Sequence, residues 1–231
     1  MKELKTWKRY GLEFLSIFIA VISAFALNNW NENRRDDKAE NKILAEISNG
    51  LKKDIEDIKV NANGHELGIA ACKYWRRIIQ GEEVDQDSLQ LYYVGLTRDF
   101  TSLQNASGYE TLKSKGLEFI EDDSLRFKII SLYEYDYYTL KKLEEGYEEA
   151  QFHKNYYQEL SHILAPNFTF DERGNMIAIK SPIAISEEEK KILMSHLLKI
   201  QINRKFIMLF YEKVKGNINA LRKEIKAELD G

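Results

Sequence analysis

The sequence has one cysteine, two prolines and almost no excess of charge of either sign, and each scarcity excludes something. Cys72 has no partner within the chain, so no internal disulfide closes and stability must come from a packed core; between Ala71 and Lys73 it reads as a small apolar filler, or as a bridge to a second chain in an oxidising compartment. Pro166 and Pro182 stand in one short interval, which leaves long stretches on both sides free to be helical. With 34 basic against 37 acidic residues the net charge is −3, so no broad basic field draws the chain to nucleic acid.

The usual marks of catalysis are missing too. There is no Gly-rich phosphate loop, no Gly-x-Ser-x-Gly elbow and no cysteine pair. His65-Glu66-Leu67-Gly68-Ile69 lacks the second histidine of a zinc His-Glu-x-x-His site. Glu159-x-x-His162 has the spacing found in di-iron bundles, which need a second such pair that this chain does not supply. His153, four residues after Glu149, reads as an ordinary helix-surface pair, and His196 cannot face its neighbour Ser195 on a helix. The expectation is a protein that is no enzyme and carries no cofactor or metal.

What the sequence does have is an apolar run over residues 12–30. Between Phe14 and Leu27 the polar groups are the hydroxyls of Ser16 and Ser23, which a helix returns to its own carbonyls. About 19 helical residues at about 1.5 Å each suffice to cross a hydrocarbon core of roughly 30 Å. A cleaved signal peptide is the competing reading, with Ala24-Phe25-Ala26 as cleavage site. Glu13 at the start of the core and the helix-forming sequence beyond it argue for an uncleaved anchor. Lys2, Lys5, Lys8 and Arg9 precede it, Trp30, Arg34 and Arg35 follow it, and Asn28, Asn29 and Trp30 suit the membrane interface. Glu13, Ser16, Ala20, Ser23, Leu27 and Trp30 are spaced 3, 4, 3, 4 and 3, which lines them up on one face. Small and polar residues on such a face let identical spans approach closely, so Glu13, Ser16, Ala20 and Ser23 are the candidate self-association stripe.

Tyr10-Gly11-Leu12-Glu13, the apolar run and the exit Asn28-Asn29-Trp30-Asn31-Glu32-Asn33-Arg34 resemble a family of uncharacterised bacterial single-span membrane proteins. In that family the span opens near Gly-Glu and closes on Asn-Asn-Trp-Asn-Glu. A second stretch, Gly108-Tyr109-Glu110-Thr111-Leu112-Lys113-Ser114-Lys115-Gly116, is similar to that family's Tyr-Glu-x-Leu-x-Ser-x-Gly segment. Here Leu12 intervenes between Gly11 and Glu13, and Leu27 stands where isoleucine is usual. The resemblance implies architecture and a bacterial inner membrane, and carries no catalytic residues.

Beyond the span, Leu44, Ile47, Leu51, Ile55, Ile58 and Ala62 form a helical stripe, continued by Leu67, Ala71, Tyr74, Trp75, Ile78 and Ile79 to a stop at Gly81, with Gly64 and Gly68 able to bend it. A short helix is expected over 88–95 with Asp87 as N-cap, a polar connection over 101–107, and a helix over 109–114 ending at Gly116. A long helix should open at Asp122 and run to 164, with Ile130, Tyr133, Tyr137, Leu140, Leu143 and Tyr147 inward. Phe168-Thr169-Phe170 and Met176-Ile177-Ala178-Ile179, either side of a Gly174 turn, read as a hairpin over about 167–181. Ser186 and Glu189 form a capping box for a last helix to 229, in which residues 206–211 are apolar all round and form the buried centre of the bundle or a contact between subunits.

The expected fold is therefore all-α: a basic tail over 1–10, a transmembrane helix over 11–30 continuing into a long stalk helix, and an extramembrane helical bundle over 31–231 with one small β-hairpin. Three functions compete. The first is a non-enzymatic, membrane-anchored interaction or sensing module, acting as a homo-oligomer among membrane lipid and an unidentified protein partner. The second is an oligomeric pore with Glu13 near its lumen, and the third a structural spacer. Four basic residues flank each end of the span, a tie that the short tail resolves towards a cytoplasmic N-terminus and a periplasmic bundle. A reporter fused to the C-terminus and active only in the cytoplasm should stay dark; activity would reverse the orientation.

Overall fold

The computed structural model describes residues 2–230, with side chains for Tyr10 and from Leu12 onward, so the basic positions of the tail lie outside the described side chains. Helix accounts for 81% of the chain and strand for 3%, which makes it an all-α protein with one small hairpin. α1 (Lys2–Ile79) is a single helix of 78 residues, about 117 Å long at 1.5 Å per residue. Nothing in it breaks the hydrogen-bond ladder. Residues 12–30 are exposed throughout, and the helix is long and apolar enough there to cross a membrane. Burial begins near Ile43 and Leu44, where the same helix becomes a wall of the bundle.

The opposite wall is α8 (Glu187–Asp230), opened by the Ser186 capping box: Ser186 donates from N and Oγ to Glu189 Oε2, and the Glu189 N–H returns to Ser186 Oγ at 3.2 Å. α8 runs antiparallel to α1. Arg76 near the end of α1 donates to Gln201 in the first half of α8, while Glu228 at the end of α8 lies within electrostatic reach of Glu40. Both helices turn inward residues that alternate three and four apart. On α1 these are Leu44, Ile47, Leu51, Asp54, Ile58, Asn61, His65, Gly68, Cys72, Trp75 and Ile79; on α8 they run Leu193, Leu197, Ile200, Arg204, Ile207, Tyr211, Val214, Ile218, Leu221 and Ile225.

Shorter elements close the bundle in two halves. Towards the span, α3 (Ser107–Lys115) and α4 (Asp123–Ile130) cover a core built on Leu44, Ile47, Leu51, Val214 and Ile218. α4 continues through a π-wound stretch at Ser131–Tyr137, α5 (Tyr138–Lys141) and a second π-wound stretch at Lys142–Gly146. At the far end, α2 (Leu89–Thr97), α6 (Phe152–Asn155), α7 (Tyr157–Leu164) and the hairpin of β1 (Phe168–Phe170) with β2 (Met176–Ile179) enclose a second core around fully buried Trp75. The Trp75 indole donates to the Tyr92 carbonyl, which ties α2 to α1.

Several local expectations hold: Asp122 caps α4 by accepting from the Leu125 N–H, and Gly81 and Gly116 end their helices at positive φ. Others are corrected. Gly64 and Gly68 do not interrupt α1; a Cβ at Gly64 would overlap the Phe100 ring and one at Gly68 the Arg204 guanidinium, so both are sites of close approach. Asp85, not Asp87, caps the turn before α2, accepting from the Asp87 N–H. The helix expected from 122 to 164 ends at Gly146, because Tyr147 and Gln151 are extended and the chain turns a corner before α6; Tyr147 is exposed, not inward. In residues 206–211 only one face is buried: Ile207 and Tyr211 point in, Phe206 and Leu209 point out.

Gly108 packs on the α1 backbone, where an added Cβ would stand 2.8 Å from the Ile47 nitrogen. Gly108→Ala should therefore destabilise by about 1–2 kcal/mol, overpacking outweighing the gain in helix propensity. Gly216 in α8 has nothing within 4 Å, so Gly216→Ala should stabilise by about 0.5–1 kcal/mol. Urea unfolding of the two variants measures the contrast; equal signs would refute the packing assignment.

Candidate functional site

Between the two apolar cores the inward faces turn polar. The three-four alternation that places leucine and isoleucine elsewhere puts Asp54, Asn61 and His65 on α1, and Arg204 on α8, in the interior. The connection over residues 98–106 lies beside this layer, and its backbone donors end on carboxylates: Leu103 N–H on Asp57, Asn105 N–H on Asp54, both at 2.7 Å, and Ser102 N–H on Glu144 at 3.0 Å. Asp54 also accepts from the Tyr137 hydroxyl at 2.6 Å, and Glu144 from the Tyr211 and Ser102 hydroxyls. Burial raises the pKa of Asp54 and of Glu144 above the ordinary carboxylate range.

Arg204 is 6% exposed. Its Nη2 donates to the carbonyls of Leu96 and Arg98, each at 3.1 Å, and the guanidinium lies 5.6 Å from the centre of the Phe100 ring. Its Nε is buried without an acceptor. His65, 4% exposed, meets the Phe100 and Tyr211 rings edge to face, and its ring nitrogens are enclosed with the Phe100 backbone as their nearest polar neighbour. Burial, reinforced by the Arg204 charge, holds the imidazole down to about 4, so it is neutral at pH 7. A cavity of about 70 Å³ opens between these groups, lined also by Asp99, Asn203 and Ile207. Cys72, fully buried nearby, is pushed up to about 11 by burial; it packs as an apolar residue and is no thiolate nucleophile.

The sequence-selected histidines find other partners than their spacing suggested. Glu159 meets His196 Nε2 at 2.5 Å across to α8, not His162, and His153 faces Asp99 at 3.8 Å because the chain is extended at Gln151, between it and Glu149. Among the described residues no three His, Cys, Asp or Glu side chains converge to hold a metal ion. On the span, Glu13, Ser16, Ala20 and Ser23 lie exposed along α1, and Ser16 Oγ returns to the Glu13 carbonyl at 2.8 Å. At its exit Asn28 donates to Glu32, Asn29 is exposed, and the Arg34 guanidinium lies over the Trp30 ring at 5.6 Å.

No family model, curated protein or solved structure matches this chain. Its site must be read from its own residues.

Arg204, His65, Asp54 and Glu144 escaped the reading of apolar positions. The signal was nonetheless present: strict three-four spacing from Leu44 runs through Asp54 and His65, and from Leu193 it runs through Arg204. A charged residue at an inward register position marks a buried polar layer.

The pH dependence of this layer has a defined sign. The folded His65 value, about 4, lies below the unfolded 6.5, so the stability that its neutral form confers is complete above 6.5 and is lost as pH falls through 4. The raised carboxylates Asp54 and Glu144 act oppositely, losing stability as pH rises, and are common to parent and variant. His65→Phe removes the buried imidazole and its titration. Relative to the parent it should gain up to about 3 kcal/mol between pH 7 and pH 4 in urea titrations; a pH-independent difference would show that His65 is not held neutral.

Proposed function

We propose that this chain is a non-enzymatic, membrane-anchored interaction or sensing module, a member of the single-span family with the Asn-Asn-Trp-Asn-Glu exit, whose copies associate through the span. The observation that carries the interaction reading is an apolar stripe on α8. Leu198, Ile202, Phe206 and Leu209 are all exposed, spaced 4, 4 and 3, on the face opposite the buried Ile200, Arg204, Ile207 and Tyr211. Helical proteins cover such a stripe with a partner more often than they leave it in water. Lys199 and Lys205 border it, which favours a partner with acidic flanks.

The span supplies the second surface. Ser16, Ala20 and Ser23, on the same face as Glu13, are small enough to let a second helix approach closely. Because α1 is one unbroken helix from the span into both cores, a change in either is carried to the other without a hinge. The arrangement suits the bacterial inner membrane with the bundle in the periplasm, where the protein acts through whatever α8 holds.

Ser16→Leu combined with Ala20→Leu should lower the cross-linked oligomer severalfold in native membranes, while Phe18→Leu with Val21→Leu should leave it nearly unchanged. Equal effects, or a monomer throughout, would refute the stripe. A photo-cross-linker at Ile202 should give a discrete adduct with a different protein. An adduct between two copies would move the oligomer contact to α8, and no adduct would leave the structural spacer.

A further inference from the structure

The hairpin has two edges, and one of them is closed. Along β2 the outward groups are met from α2 and the turn before it: the Ile179 N–H donates to Gln86 Oε1 at 3.1 Å, and Gln90 Nε2 donates to the Met176 carbonyl at 2.8 Å. Along β1 the two ends set the parity. The Asn167 carbonyl accepts from the Lys180 N–H and the Asp171 N–H donates to the Asn175 carbonyl, so the odd positions face β2 while Phe168 and Phe170 turn their backbone groups the other way. The Phe168 N–H is taken by the Ala165 carbonyl. The Phe168 carbonyl and the N–H and carbonyl of Phe170 have no partner among the described residues.

Proteins guard such an edge with charge, proline or a bulge. Phe168-Thr169-Phe170 carries no charge, and the irregularity in this hairpin leaves the extra residue, Ile177, on β2. Beside the open edge, Phe168, Phe170 and Met176 form an apolar trough with Tyr93 and Val94 of α2, about 330 Å³ in volume. Phe170 and Val94 are both exposed there. Lipid of the anchoring membrane is out of reach: Trp75, against whose ring Phe168 packs at 6.2 Å, stands 45 residues along α1 from Trp30, about 68 Å. A helix has no backbone groups to spare for the edge, because its own ladder uses them. An extended chain answers both features at once, offering backbone donors and acceptors to β1 and alternate side chains to the trough.

We infer that the β1 edge and its trough receive a short extended segment of a partner protein, with apolar side chains at alternate positions, added to the hairpin as a third strand. This surface is separate from the α8 stripe and does not rest on it.

The test is fluorescence anisotropy of a labelled Lys-Thr-Val-Thr-Val-Thr-Val-Lys amide titrated with the full chain in detergent micelles. Saturation at one peptide per chain is expected. N-methylation of the valine amides and of the threonine amides should differ, one set abolishing binding and the other leaving it, because alternate amides of a strand face opposite edges. Phe170→Pro deletes the outward N–H and spares the bonds to β2, whereas Phe170→Val loses the ring and keeps the N–H; the proline variant should bind at least tenfold more weakly than the valine variant, both with the parent helix content. Should Phe170→Pro not fold, Val94→Glu, which puts a charge at the exposed wall of the trough, should lower affinity at least tenfold. Ile202→Asp should bind the peptide as the parent does, so that this surface and the α8 contact fail separately. Absence of saturable binding, equal affinity of the two Phe170 variants or of the two methylated peptides, or full binding in Val94→Glu would overturn the inference. Loss of the cross-linked oligomer in Phe170→Pro would give the edge to a second copy and overturn it as well.

Discussion

The antiparallel seam between α1 and α8 is the contact on which everything else leans. Each helix offers a stripe that alternates three and four residues, and the two stripes run side by side from Leu44 and Ile225 at one end to Ile79 and Leu193 at the other. No other element contributes to both cores over such a length. α2, α3, α4 and the hairpin each cover part of this pair, and several are held at their edges by hydrogen bonds to it, as Trp75 holds Tyr92 and Asp54 holds Asn105.

A seam of leucine and isoleucine alone would tolerate sliding, since one alignment by a heptad resembles the next. The polar layer removes that freedom. Arg204 has room only opposite Gly68, Phe100 only opposite Gly64, and the Tyr211 hydroxyl must reach Glu144. Any other register leaves a guanidinium against a Cβ or a carboxylate without donors, at a cost of several kcal/mol. In this chain the buried charges specify the alignment, and the apolar cores on both sides provide the stability.

The apolar skeleton was therefore legible from spacing, and so were the terminators: the capping box at Ser186, the cap at Asp122, the glycines at 81 and 116. The corner at Tyr147 was not, because the apolar repeat resumes beyond Gly146 at Tyr157 and Leu160, whereas the turn over residues 148–150 is held against α8 by the Asn203 amide donating to the Glu149 carbonyl, a contact spacing does not show. The polar layer was half legible. Its positions follow from the repeat, whereas its partners, such as the Leu96 and Arg98 carbonyls for Arg204, lie more than a hundred residues away. The span residues Glu13, Ser16, Ala20 and Ser23 are legible as a stripe because an exposed helix shows its faces without tertiary rearrangement.

The continuity of α1 also fixes an angle. At roughly 100° per residue, the Ser16 and Ala20 face emerges about 130° around the helix from Leu44, Ile47 and Leu51, on which α8 packs. Two spans meeting through that face would thus carry their bundles away from the contact and to one side, with the Leu198–Leu209 stripe towards the rim of the pair. Azimuth, not distance, is what the stalk sets: one residue added between 31 and 40 would raise the bundle by only about 1.5 Å but swing that rim by about 100° around the membrane normal.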